Sequence, residues 1–445
     1  MPREASAEVV VVGAGIAGLA AAWALRDRDV LVLEAGERVG GRIRSERRGR
    51  YWLNFGAHVF GREDSATGRL LRETGTEAVD VPGVLTGVAL GDRVVAGRVE
   101  TFPFRLPLAP ADRLALVRAG IRLRLAVARY GRIADTGDQR RVLDFLADRG
   151  FADWLGPLPA DVDAIIRPTI QRSSGEPEEL AAGYGIGYFH LVWDRSGGLA
   201  RNILGGPSTL PETIAAALGD RVSTGCRVEE VAATGDGVRV RYARAGEANE
   251  VSARFVVVAT PAYVTRTIVA GLPDDTRRAL GEIVYGPYVV GAFLTGETSP
   301  MPWDGIYAVA AARRSFNMLF NTANVLRRED GPREPGGTLM AYSGACLGRR
   351  LWEVDDERVV TTYLDDLYAI FPEARGTVEE AVVHRWPHGL PYVRPGRNRV
   401  QPALERSLGN VFLAGDYLGT LYTDTAIATA TAAAEAISAR LPPTP

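Results

Sequence analysis

VVVVGAGIAGLAAAWALRDRDVLVLEAGERVGGRIR, residues 9 to 44, is the stretch whose reading decides the fold. Val9 to Val12 form an apolar run of the kind a parallel strand needs when both of its faces are covered. Gly13, Gly15 and Gly18 follow at the spacing that gives a tight turn, a close backbone approach to a pyrophosphate, and contact between helix and strand. Ile16 and Ala17 lie in the first turn of the helix so opened, where free amides attract phosphate. A second strand, Val30 to Leu33, ends in Glu34 and Ala35, with Glu34 twenty-one residues after Gly13. A carboxylate there accepts hydrogen bonds from an adenosine ribose and repels a 2′-phosphate, which argues against an NADP site. A glycine triplet alone is a weak signal; strand, turn, helix, second strand and acid in one register is a strong one.

The continuation Arg38-Val39-Gly40-Gly41-Arg42 adds two glycines that let the backbone pass a cofactor, and an arginine able to give a forked contact to the pyrophosphate. This stretch resembles the flavin-containing amine oxidase superfamily, which also holds protoporphyrinogen oxidases, carotenoid desaturases and, more distantly, UDP-galactopyranose mutase. The resemblance implies FAD and returns along the chain. Asn410-Val411-Phe412-Leu413-Ala414-Gly415-Asp416 is similar to the C-terminal flavin motif, with Gly415 and Asp416 near the ribityl-phosphate. Asp424 to Ala430 is similar to the helix start under the flavin ring, which implicates Thr425 and Ala426. Thr425 and Ala430 stand where the family usually has glycine, and their side chains are expected to crowd the approach to the ring. Gly205 to Val231 resembles the segment that returns to the cofactor, with Val228 meeting the adenine, and Phe255 to Pro261 begins as another apolar strand. Trp386 to Gly396 resembles the tryptophan stretch beside the flavin, and Gly56, Ala57 and His58 the stretch that skirts it. The first of these lacks the cysteine that monoamine oxidases attach to the ring, so FAD is expected to be non-covalent.

These matches predict an α/β protein in which a Rossmann-like FAD-binding domain, residues 1–72, 200–285 and 386–445, is interleaved with an α+β substrate domain, 73–199 and 286–385. Helix breaks are expected at Pro157-Leu158-Pro159 and Ser173-Ser174-Gly175, strands over Tyr288 to Leu294 and Thr338 to Ser343, and a helix from Asp356 to Ile370. Gly183-Tyr184-Gly185-Ile186-Gly187 has the wrong spacing for a second dinucleotide site and reads as a loop.

The length of 445 residues gives ample core, and 52 basic against 54 acidic side chains argue against nucleic acid as the main partner. Two cysteines form neither a disulfide framework nor a zinc ribbon, and no His, Cys, Asp or Glu cluster has metal-ligand spacing. The glycines in the N-terminal apolar stretch and the lack of a basic cluster before it make export unexpected, leaving the cytoplasm as the expected compartment. Residues 103 to 133 carry two apolar stripes, Leu114, Val117, Ile121, Leu125 and Ala128 on one, Leu116, Leu123 and Val127 on the other, with arginines between. Two stripes suit a helix packed inside the substrate half better than one lying on a membrane surface.

No lysine occurs anywhere in the chain. In amine oxidases of this superfamily a lysine on a substrate-domain strand holds a water near the flavin; here Val290 or a neighbour occupies that region. The resemblance therefore implies hydride removal from a C–H of an apolar or amphiphilic small molecule, giving a C=C or C=N bond, with oxygen or a quinone as electron acceptor. Amine oxidation to imine and hydrogen peroxide is the alternative, and a non-redox flavin enzyme of the mutase type a third reading. Tyr422 is expected to wall the substrate, with Tyr392 as a second candidate. His58 and His388 are the candidate proton-exchanging groups, each set against the commoner role of a satisfied structural histidine.

Overall fold

In the computed structural model, residues 5–193, 199–327, 333–420 and 422–442 are described. The end of the Pro-rich tail lies outside them. The strand Ala5–Val12 sits in the middle of a sheet, parallel to Val30–Leu33 on one side and to Glu247–Val258 on the other. Val222–Ser223 extends the first side, and Val411–Leu413 pairs in parallel with the far end of Glu247–Val258. Val238–Arg244 and Cys226–Ala233 complete the sheet as antiparallel ribbons. Val9 to Val12 are buried as their composition requires, and the helices Ile16–Ala24, Thr209–Leu218 and Tyr422–Ser438 cover one face.

A second sheet runs in the order Val378–Tyr392, Val284–Thr295, Gly337–Ser343, Met318–Asn321, Ile306–Ala311, Val84–Leu90, Arg93–Ala96. Its strands are antiparallel except Ile306–Ala311 against Val84–Leu90. The helix Asp356–Ile370 packs on one face, and a helical layer of Pro110–Ala134, Ala160–Gln171 and Ala182–Trp193 on the other. The breaks at residues 157–159 and 173–175 fall between helices as expected. Trp386 pairs with Tyr288 inside this sheet, so the last strand runs to Tyr392, past the expected boundary at 386.

Two elements differ from their reading in the sequence. Residues 183–187 are not a loop but the first turns of the buried helix Ala182–Trp193. An added Cβ would stand 1.7 Å from the Phe145 carbonyl oxygen at Gly183, 2.3 Å from the Phe151 ring at Gly185 and 2.9 Å from the Tyr130 hydroxyl at Gly187. The glycines exist for close packing, which overrides their low helix propensity. In Pro110–Ala134 only the stripe of Leu116, Leu123 and Val127 is buried. Leu114, Ile121 and Leu125 of the other stripe are exposed, as is Phe104 just before the helix. No helix among the described residues is long and apolar enough to cross a membrane.

Candidate cofactor and substrate cavity

The C-terminal edge of the parallel strands opens into a cavity of about 680 Å³ that extends to the face of the second sheet. At one end Glu34 accepts hydrogen bonds from the Ala14 amide at 2.7 Å and the Gly36 amide at 2.8 Å. Each carboxylate oxygen thus keeps lone-pair capacity toward the cavity, and Ala35 and Val228 line the same end. Gly13 has φ of +98°, and an added Cβ at Gly18 would lie 1.8 Å from the Gly13 carbonyl oxygen. Gly18 is therefore a packing residue, off the cavity wall. Gly15, with Ile16 and Ala17, lines the cavity, and no protein atom stands within 4 Å of where its Cβ would be. An open cradle facing the helix start is what a diphosphate needs.

Next along the wall are Gly41, Arg42, Gly415 and Asp416. Arg42 grips Asp416 through two contacts, 2.8 and 2.9 Å, and donates to the Gly389 carbonyl at 3.1 Å. Burial disfavours its charge, but the Asp416 carboxylate more than offsets this and holds the guanidinium above its ordinary value. The fork expected to face a pyrophosphate is taken by Asp416, so the two residues act as a fixed pair. His388 belongs to this region: its ring lies 4.2 Å from that of Tyr263, and burial together with Arg42 lowers its pKa.

Gly56, Ala57 and Trp386 carry the wall toward the second sheet, with the Trp386 indole donating to the Phe55 carbonyl at 2.6 Å. Beyond them the lining becomes aromatic and apolar. Tyr422 begins its helix with φ of +59°, a left-handed conformation costly for a bulky residue, and meets Tyr188 edge-on at 5.7 Å. The second wall is not Tyr392, which is buried against Gly175 away from the cavity. It is built from Tyr288 and Tyr342, perpendicular to each other at 5.3 Å, with Phe320 and Met340.

His58 lies here, its ring 4.4 Å from Phe320. Its Nδ1 is 3.0 Å from the Gly56 carbonyl, which can only accept, so the proton sits on Nδ1 and Nε2 is a buried acceptor with no protein partner. Burial lowers its pKa to about 4, which makes it neutral at pH 7. Val290 lines the cavity where the resemblance implied lysine would otherwise stand.

The final helix corrects one expectation. Thr423 and Ala426 face the cavity while Thr425 turns to the Gly419 backbone and Ala430 is buried in the core behind. Helical periodicity puts the expected crowding groups on the wrong face to crowd a flavin. Asp424 instead ties the helix to Thr67, accepting from its amide at 2.8 Å and its hydroxyl at 3.0 Å. Sequence reading missed Arg172, Tyr288, Tyr342, Phe320 and Met340, all brought to the cavity by the second sheet and the helices packed on it and none marked by a motif.

A family model described as flavin-containing amine oxidoreductase matches residues 16–438. An L-amino-acid oxidase of Demansia vestigiata is 28% identical over 326 residues, 67% of this chain and 59% of that protein. The flavin-containing amine oxidase B of Sus scrofa is 29% identical over 279 residues, 57% of this chain and 50% of that protein. The chain thus spans little more than half the length of these curated relatives. A putrescine oxidase variant of known structure superposes with a TM-score of 0.80 at 21% identity, covering 98% of this chain and 100% of that one, a likeness of fold. The chain belongs to the flavin-containing amine oxidoreductase family, and FAD is its cofactor.

Proposed function

We propose that the protein is an FAD-dependent oxidoreductase that takes a hydride from a carbon of an amphiphilic small molecule, with a carbon bonded to nitrogen as the favoured site. The observation that carries this reading is the cavity itself, which joins a dinucleotide-shaped channel to an aromatic chamber in one continuous space. Bound FAD supplies the hydride acceptor. Tyr422, Tyr288 and Tyr342 restrict how a substrate can lie, and Phe320, Met340 and Val290 exclude water from the reacting carbon. Neutral His58 can accept an N–H or O–H of the substrate through Nε2, orienting it without taking up charge. The named relatives that act on amines and amino acids support C–N over C–C oxidation. Val290 in place of lysine supports the second reading, desaturation with a quinone as acceptor. Glu34, the glycine turn, the Arg42–Asp416 pair and Trp386 would hold the cofactor.

Anaerobic mixing of purified protein with amines, amino acids, porphyrinogens and polyenes tests the reading through bleaching of the flavin's visible band. Bleaching by nitrogen-bearing substrates, with peroxide formed when air returns, supports it. Bleaching by polyenes or porphyrinogens alone would transfer the assignment to desaturation, and product formation without any change in flavin redox state would favour the mutase type.

A further inference from the structure

The cavity lining includes a cation, Arg172, that pairs with no carboxylate among the described residues. Arg172 follows the helix Ala160–Gln171 and faces the cavity, with the Tyr422, Tyr342 and Tyr188 hydroxyls in electrostatic reach of its guanidinium. Among the described residues none forms an ion pair with it. Glu176, a close acid in the chain, is committed elsewhere: it accepts from Arg167 at 3.0 Å and from the Cys346 amide at 2.7 Å, and it also holds Gln171. Asp416 is held by Arg42. Arginine cannot escape by losing its proton, and a cation enclosed by aromatic rings without a counter-ion is costly unless something else supplies one. The neighbouring Nε2 of His58 is likewise an unused buried acceptor. Arg172 lies near enough to His58 to lower its pKa further, and Phe320, Met340 and Val290 line the same cavity with apolar surface.

We propose that Arg172 binds a carboxylate of the substrate, so that the molecules oxidised combine a carboxylate with an apolar or aromatic body. This rests on the oxidoreductase reading for its chemistry but not for its binding. Arginine matches a carboxylate with two parallel hydrogen bonds, fixing the angle at which the rest of the molecule meets the ring of tyrosines. A carboxylate adjacent to the oxidised carbon, as in an α-amino acid, and one at the far end of the molecule would use the same contact.

FAD-loaded wild type, Arg172→Gln and Arg172→Lys are titrated with benzoate and with its neutral isostere benzamide, following the flavin spectrum. Neither probe has an oxidisable C–H, so the result does not depend on turnover. Wild type should bind benzoate at least tenfold tighter than benzamide; Arg172→Gln should lose that margin while keeping its benzamide affinity, and Arg172→Lys should retain part of it. Equal affinities for the two probes in wild type, or an undiminished margin in Arg172→Gln, would overturn the proposal. The wild-type comparison decides the matter if Arg172→Gln loses FAD. A second arm compares anaerobic flavin reduction by phenylethylamine, phenylalanine and 4-(aminomethyl)benzoate, which separates an adjacent from a distal carboxylate. Carboxylate binding with no flavin reduction by any of them would reject the oxidase reading and leave the Arg172 contact standing.

Discussion

At residue scale Tyr422 offers the sharpest test, because its backbone and its side chain make opposite demands. With φ of +59°, it should be replaced more stably by glycine than by alanine, by about 1 kcal/mol, the reverse of the order inside a helix. Thermal melts of the two variants check this. If its ring orients substrate, both should slow flavin reduction at least tenfold with FAD affinity nearly intact, while Tyr422→Phe recovers much of the rate. Wild-type reduction in a stable Tyr422→Gly protein would remove Tyr422 from the site. Glu34→Ala should weaken FAD binding tenfold or more by equilibrium dialysis, because it deletes the ribose acceptor and frees the Ala14 and Gly36 amides that shape the turn.

His58 links the site to pH. Its folded pKa of about 4 lies below the ordinary 6.5, so between those values the unfolded chain binds the extra proton. Stability is therefore intact above pH 6.5 and falls as pH drops toward 4, by a contribution on the order of 3 kcal/mol at most. The melting temperature of wild type should fall across this window more steeply than that of His58→Gln; parallel curves would show that His58 is not buried neutral. The residues lining the strand-edge end of the cavity were legible because a dinucleotide motif fixes their spacing. Arg172, Tyr288 and Tyr342 were not, since these residues, at least 54 positions apart, meet there only through the packing of the second sheet.

At element scale the helix Pro110–Ala134 shows what periodicity can and cannot decide. Both apolar stripes were visible in the sequence, but composition does not say which one finds a partner. Leu123 is 1% exposed and Ile121 58%, so Leu123→Ala should cost about 2–5 kcal/mol and Ile121→Ala no more than about 0.5, measured by denaturant unfolding. Equal losses would mean that Ile121 is covered. The glycine-rich helix Ala182–Trp193 is the complementary case: local propensity spoke for a loop, and the rings of Phe151 and Tyr130, distant in sequence, decided otherwise. The long strand Val378–Tyr392 was divided at residue 386 because the tryptophan stretch in it was recognised by its chemistry and not by its pairing with Val284–Thr295.

At the scale of the whole molecule, the parallel sheet was readable because apolar strand runs and glycine turns recur at the chain's ends and centre. Its precise seams were not, since strands of the second sheet run through them. The cavity is lined from both sheets, so FAD held there would tie the two together and its removal should loosen both. At free FAD a thousandfold above its dissociation constant, the holoprotein should gain about 4 kcal/mol over the apoprotein, seen as a lower and concentration-dependent melting temperature once flavin is stripped.

The central strand Ala5–Val12 leaves the ribosome some 240 residues before its neighbour Glu247–Val258, and Val411–Leu413 and the helix Tyr422–Ser438 follow later still. Val30–Leu33 and the helix Ile16–Ala24 follow it at once, but its other edge waits unpaired until Glu247–Val258 is made. The nascent chain thus carries an open apolar strand edge through a long stretch of synthesis, and its yield should respond to chaperone supply and growth temperature more than its final stability would suggest.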